Sequence, residues 1–474
     1  MISPWLTFYG DDFTGSTDVL EVLQWSGVPT MLFLSPPSAE LLNRFRGLQA
    51  WGIAGRTRSM SPADMELELR PALASLCQFK PRIVHYKTCS TFDSSPEVGS
   101  IGRALEVGQS MIGSRPVPVV VGAPQLGRYQ AFGNLFARSG LDTEPFRLDR
   151  HPTMRCHPIT PMDEADLRLH LARQTDARVA LCDVISLEQN AAQSSATWLG
   201  RPDFAGADAV LFDVLNNDHL ATIGRSIWEL SESQSPCYAV GSSGIEYALI
   251  QWLSRNTKDD GVVDFVPGRI VAGRSNAPFP AVGQLLAITG SCSPVNARQI
   301  EQAEQHGFIT LPLDPVRLID PQRVDDEVIR TADQALKRIE AGANLILHTS
   351  LGPQDPRIAA VTSYLKSQGL DEIAIRRRTG ELLGIPLGRL LARILARWPF
   401  QRIGVAGGDT SGYIARTLGL LALEAIAPVA PGSPLCRAHA DGPLQGVEFF
   451  FKGGQVGKDN VWQTMLCGTE DRSK

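Results

Sequence analysis

Short apolar runs of three to five residues recur along the chain, separated by longer amphipathic stretches. In the first half they fall at 5–9, 31–34, 50–54, 83–86, 117–121, 179–182, 209–212 and 238–240. In the second half they fall at 286–289, 308–311, 345–348, 402–406 and 447–451. Most are bounded by polar, Gly or Pro residues, as in strands covered on both faces of a sheet. Between them, 62–76, 100–111, 163–173, 295–305, 325–341 and 383–397 have helical spacing. Strand–helix alternation predicts α/β architecture with mainly parallel sheets. Residues 256–281, rich in Pro, Gly and charge, show little periodicity and read as a linker. The expected organisation is therefore two domains, 1–255 and 282–474, each a mainly parallel sheet flanked by helices. An interdomain cleft is the expected active site.

Strand ends carry the candidate chemistry, because ligands of open α/β sheets bind beyond the carboxyl ends of the strands. The first apolar run leads into Gly10-Asp11-Asp12-Phe13-Thr14-Gly15-Ser16-Thr17-Asp18 and then a helix. Two acids beside exposed helix N–H groups suit hydroxyl or metal chemistry on a small anion. Arg56 and Arg58 follow the third run, and a guanidinium grips a carboxylate with two hydrogen bonds. Lys87, Ser90 and Thr91 follow the fourth, a pattern that suits a hydroxylated acid. Arg128 and Tyr129 follow the fifth, and His157 sits in a Pro-bracketed segment. Taken singly, each of these also reads as an ordinary polar loop.

The second half offers three loops of small residues after strands. They are Gly290-Ser291-Cys292-Ser293-Pro294, Gly407-Gly408-Asp409-Thr410-Ser411-Gly412 and Lys452-Gly453-Gly454-Gln455-Val456-Gly457. Glycines admit a phosphate to the backbone, while Thr410 and Ser411 are candidates to cap a helix over 413–418. Asp409 is placed to orient a metal-bound phosphate. Ser291, Ser293, Gly407, Gly408, Asp409, Thr410, Gly453 and Gly454 together could enclose a nucleotide. No Walker loop or Gly-x-Gly-x-x-Gly fingerprint is present.

Composition narrows the partners. The 474 residues are 43% hydrophobic and 20% charged, with a formal net charge of −5 and no long basic run. That balance argues against nucleic acid or an anionic membrane as a main partner. Eight scattered cysteines without a Cys-x-x-Cys pair, no signal-like start and no long apolar run predict a reduced, cytoplasmic chain.

The set of Gly10–Asp18, Lys87–Ser95, His157–Met162, Gly290–Ser293 and Gly407–Gly412, in this order, resembles the four-carbon acid sugar kinases. The resemblance implies an N-terminal domain for an acid sugar and a C-terminal domain for ATP with Mg²⁺. It implies phosphorylation of a hydroxyl, typically terminal, on 3-oxo-tetronate, D-threonate or D-erythronate. By analogy Asp11, Asp12, Arg58 and Lys87 face the sugar acid, with Asp12 the first choice as base and Asp11 its neighbour. Thr14, Ser90, Thr91, Arg128 and His157 complete the expected sugar side. Ser291, Gly407 to Thr410 and Gly453 match the ATP positions. Residues 126–133 depart from the Gly-Arg-Thr pattern of the 3-oxo-tetronate kinases, which opens the alternative of a branched acid such as 3-oxo-isoapionate. Two rivals from other classes are a phosphatase, whose Asp-x-Asp spacing is missing here, and a cytoplasmic sugar-acid sensor. A homo-oligomer is also possible.

Overall fold

The computed structural model describes residues 4–139, 143–156, 160–194, 201–256 and 278–469. It divides into two compact units, one on each side of segment 257–277. The segment expected as the linker, and His157, lie almost wholly or wholly outside the described residues.

In the first unit eight strands form one parallel sheet. They are β1 (Leu6–Gly10), β2 (Thr30–Phe33), β3 (Ala50–Ala54), β4 (Ile83–Lys87), β5 (Val117–Val120), β9 (Val179–Cys182), β10 (Ala209–Phe212) and β11 (Cys237–Gly241). Their order is β2-β3-β1-β4-β11-β5-β10-β9. Most of these strands are buried on both faces, because helices cover the sheet. The register matters for function. Ala54, Gly10, Lys87 and Gly241 stand side by side across four neighbouring strands, so the loops that follow emerge along one edge.

An insertion between β5 and β9 carries a small antiparallel sheet of β6 (Arg128–Ala131), β7 (Asn134–Arg138) and β8 (Pro145–Arg147). The hydrophobic pattern predicts no strand in this stretch. Its strands are short and half-exposed, so their alternation is weak. Asp213, beyond the end of β10, accepts the backbone N–H of Phe132 and Gly133 and ties the β6–β7 turn to the main sheet.

Among the described residues the second unit has seven strands. They are β12 (Leu286–Thr289), β13 (Ile309–Pro312), β14 (Leu345–His348), β15 (Arg402–Ala406), β16 (Leu420–Ala430), β17 (Ser433–Ala440) and β18 (Glu448–Lys452), in the order β13-β14-β12-β15-β18-β17-β16. All pairs are parallel except those made by β17, which runs against both neighbours. His348, Thr289, Ala406 and Lys452 align in one row, again placing the following loops at one edge. The core behind them joins Phe450, Trp462, Ile300 and Ala406.

Three expectations need correction here. The β16–β17 hairpin was not foreseen, because its Ala- and Leu-rich strand has the residue content of a helix and only sheet pairing overrides that preference. The helix expected at 383–397 spans Glu372–Leu395 and starts at an Asp371 cap, whose side chain accepts the Ala374 N–H at 2.7 Å. The helix expected at 413–418 begins at Gly408, because Gly407 turns the chain directly out of β15 with φ +136°.

Candidate active site

Asp12 ends the turn after β1 and caps the helix Phe13–Trp25. Its Oδ1 accepts the Gly15 N–H at 2.7 Å, which satisfies one orphan donor of the first turn. Its Oδ2 lies 2.9 Å from Arg58 Nη1. The same guanidinium reaches Asp11, with Nη2 3.1 Å from Oδ1. Arg58 sits on a short turn, Thr57–Ser59, after β3, and its backbone N–H donates to the Asp11 carbonyl at 3.0 Å. One arginine therefore spans both acids, and both are buried.

Burial is the main influence on Asp11 and lifts its carboxyl to about 6; Arg58 opposes the rise and the Asp12 carboxylate adds to it. Lys87, the last residue of β4, is 1% exposed. Its Nζ lies 3.5 Å from Asp18 Oδ2 and donates to the Thr88 carbonyl at 3.0 Å. Burial alone would lower the Lys87 pKa, but Asp18, Asp11 and Asp12 outweigh it and hold the ammonium above its usual range. Thr14 stands half-buried in the first turn of the capped helix.

The neighbouring loop joins this cluster. Arg128 Nε donates to Ser90 Oγ at 3.3 Å, and its Nη1 donates to the Leu126 carbonyl at 2.8 Å. Thr91 Oγ1 lies 3.0 Å from Cys89 Sγ. Burial pushes the Cys89 thiol up to about 11, with the Asp93 carboxylate adding to it, so the thiol is no ready nucleophile. Asp11, Asp12, Arg58, Lys87, Ser90, Thr91 and Arg128 thus come together at one sheet edge. Sequence reasoning missed Asp18, which lies a turn inside the helix, and Ser243, which follows β11. The Ser243 hydroxyl is buried with no partner among the described residues. The small-residue run 241–244 at a strand end was the available signal.

The second unit builds its site from small residues. Ser293 caps the helix Pro294–Gln305, its hydroxyl accepting the Asn296 N–H at 3.0 Å and donating to the Gly454 carbonyl. A Cβ on Gly454 would run into Ser291 Oγ, and one on Gly407 into Thr410 Oγ1. Gly290 donates its N–H to Ala406, and Gly407 donates to the Lys452 carbonyl at 3.0 Å. The three loops are therefore in contact. The expected capping by Thr410 and Ser411 does not occur. Both hydroxyls donate back to the Gly407 carbonyl, at 3.4 and 2.6 Å, since the helix already starts ahead of them. Gly408 opens that helix, and Asp409 in its first turn packs its Cβ against Gly380 of the helix Glu372–Leu395. Gly453 accepts a hydrogen bond from Lys452 Nζ at 3.2 Å.

The comparisons agree with this division. Residues 6–249 match a sugar-binding N-terminal domain, and residues 286–461 match a nucleotide-binding C-terminal domain. The chain is 43% identical over 454 residues to a 3-oxo-isoapionate kinase of Paraburkholderia graminis, covering 95% of this chain and 92% of that protein. It is 28% identical over 454 residues to a 3-oxo-tetronate kinase of Methylobacterium radiotolerans, covering 93% and 96%. A crystal structure of a Salmonella typhimurium LT2 protein superposes with a TM-score of 0.71 at 25% identity, over 97% of this chain and 98% of that one. Two domain matches that together span most of the chain, and the kinase relatives named above, place the chain in the four-carbon acid sugar kinase family, as an ATP-using phosphotransferase with an alcohol group as acceptor.

Proposed function

We propose that this kinase acts on a small 3-oxo sugar acid, with the branched 3-oxo-isoapionate ahead of 3-oxo-tetronate. The observation that carries the order is the identity to the 3-oxo-isoapionate kinase, 43% against 28% for the 3-oxo-tetronate kinases. Arg128 enters the acid cluster from the β6–β8 sheet through Ser90 and is the residue through which that sheet would touch the substrate.

In the reaction a substrate hydroxyl attacks the γ-phosphorus, the bond to the β–γ bridging oxygen breaks, and ADP leaves. The hydroxyl proton passes to a carboxylate of the Asp11–Asp12 pair. The raised Asp11 favours it as the acceptor, because a base with a pKa near 6 holds the proton better than an ordinary carboxylate. Asp12, fixed by the Gly15 N–H and by Arg58, serves as the anchor. Arg58, Lys87 and Arg128 would hold the substrate carboxylate and oxo group, assisted by the hydroxyls of Thr14, Ser90 and Thr91. Ser291, Ser293, Gly407 to Thr410, Gly453 and Gly454 would receive the nucleotide. Among the described residues no group of three or more His, Cys, Asp or Glu could cage a metal ion. Mg²⁺ would be held mainly by the ATP phosphates, near Asp409, and would spread the charge of a loose transition state. Such a kinase works where ATP is supplied, in the cytoplasm.

A coupled ADP-release assay across 3-oxo-isoapionate, 3-oxo-tetronate, D-threonate and D-erythronate tests the order. Higher kcat/KM on 3-oxo-isoapionate is the expected result. A preference for 3-oxo-tetronate would return the substrate to the linear acids, and turnover of none would remove the class.

A further inference from the structure

Lys452 is the last residue of β18 and is 1% exposed. Its Nζ donates to the Gly453 carbonyl and lies 5.9 Å from the centre of the Trp462 ring. Among the described residues no carboxylate acts on its charge; burial alone does. Its own carbonyl accepts the Gly407 N–H, so the residue joins the loop after β15 to the loop after β18. Gly454 in turn packs on Ser291. Lys452 thus lies at the junction of the three loops that would receive the nucleotide. An ammonium buried without a counter-ion is costly, and the protein relieves that cost by neutralising the group or by binding an anion. Burial alone, with no opposing charge, brings this lysine down to about 7.

We infer that Lys452 is the cation that binds the phosphate chain of the nucleoside triphosphate. The inference rests on the reading of these loops as the ATP site and adds to it a residue and a charge. In the free protein Lys452 is largely neutral at pH 8. The arriving phosphates supply the missing counter-charge, and the lysine takes up a proton to meet it. An ammonium is suited to this as a compact point charge with three donors.

Calorimetric titration of the full chain with Mg·ATP at pH 8, in buffers of different ionisation enthalpy, measures the proton uptake directly. This pH is above the second phosphate pKa of about 6, so the nucleotide contributes little. The wild-type chain should take up close to one proton per ATP, and Lys452→Met should take up none. ATP affinity should fall about 10- to 100-fold in Lys452→Met, with adenosine affinity unchanged and partial recovery in Lys452→Arg. ATP affinity unchanged in Lys452→Met, or equal proton uptake in Lys452→Met and wild type, overturns the role of Lys452 and leaves the ATP site standing. Equal losses of ATP and adenosine affinity would assign Lys452 to folding of the loops and also overturn it. If the wild type binds adenosine but gains nothing from the phosphates, or binds neither, the ATP reading fails with it.

Discussion

Lys87 and Lys452 occupy the same kind of place, the last residue of a buried parallel strand at the functional edge of each unit. Both are 1% exposed. Their surroundings are opposite. Three carboxylates face Lys87 and hold its proton, while Lys452 has a carbonyl and an aromatic ring and loses its proton near neutrality. The sugar half carries its own compensated charges, which position side chains before any ligand arrives. The described nucleotide loops are built mainly of hydroxyls and amides, with Asp409 and the buried Lys452, whose charge the ligand would balance. A preorganised cluster suits a weakly charged acceptor, and an open electrostatic demand suits a triphosphate.

Replacing each lysine by methionine is the strongest way to break this comparison, because the effects on stability should have opposite signs. Lys87→Met removes the ion-pair partner of Asp18 and a cation beside the Arg58-bound Asp11 and Asp12, and should cost on the order of 3–5 kcal/mol in urea unfolding. Lys452→Met should instead stabilise the unliganded chain. The folded pKa of Lys452 lies below its ordinary 10.5, so the folded chain holds fewer protons than the unfolded one between pH 7 and 10.5. Wild-type stability therefore rises with pH across that window, and the advantage of Lys452→Met, on the order of a few kcal/mol at pH 6, should vanish near pH 10. A shared sign would mean that the two lysines are equivalent.

Next in size is Asp11→Asn, which should lower kcat by roughly 10²–10⁴ with near-normal nucleotide binding. The base must be ionised, so wild-type kcat/KM should be level above pH 6 and fall as pH drops through that value. Asp12→Asn should keep this limb and its helix cap, since asparagine caps as well as aspartate. Retention of the limb in Asp11→Asn and its loss in Asp12→Asn would exchange their roles.

Gly407→Ala should cost about 1–3 kcal/mol, because φ is +136° and the new methyl meets Thr410. Its effect should appear in ATP affinity and leave sugar-acid binding intact, which urea unfolding and separate ligand titrations would show. The smallest change is Ser90→Ala. Loss of one hydrogen bond to Arg128 should raise the sugar-acid KM about 2- to 10-fold with little change in kcat. An unchanged KM across all four sugar acids would detach the β6–β8 insertion from substrate choice.

The strand ends were legible in the sequence because a fully buried parallel strand is a compact apolar run with an abrupt polar end. Asp11, Asp12, Arg58 and Lys87 each follow such an end, so their convergence could be read without a structure. The sharing of one guanidinium by two acids could not, because it depends on the register of β1 and β3. Asp18 was in the Gly10–Asp18 run but was given no role, because the helix expected after it starts at Phe13 and turns its side chain to Lys87. Lys452 was hidden as the first letter of a glycine loop, although it is the end of a buried strand. The β16–β17 hairpin escaped for a different reason, since local preference and final pairing disagree there.

The β6–β8 insertion has a consequence for how such an enzyme changes over time. It enters and leaves the main sheet between β5 and β9, and backbone pairs Gln130–Val214 and Asn134–Asp166 tie it down together with the Asp213 carboxylate and the Ser90 hydroxyl. A change in this insert is therefore transmitted to the end of β10 and to the loop after β4, so substrate choice and the strand-end scaffold change together.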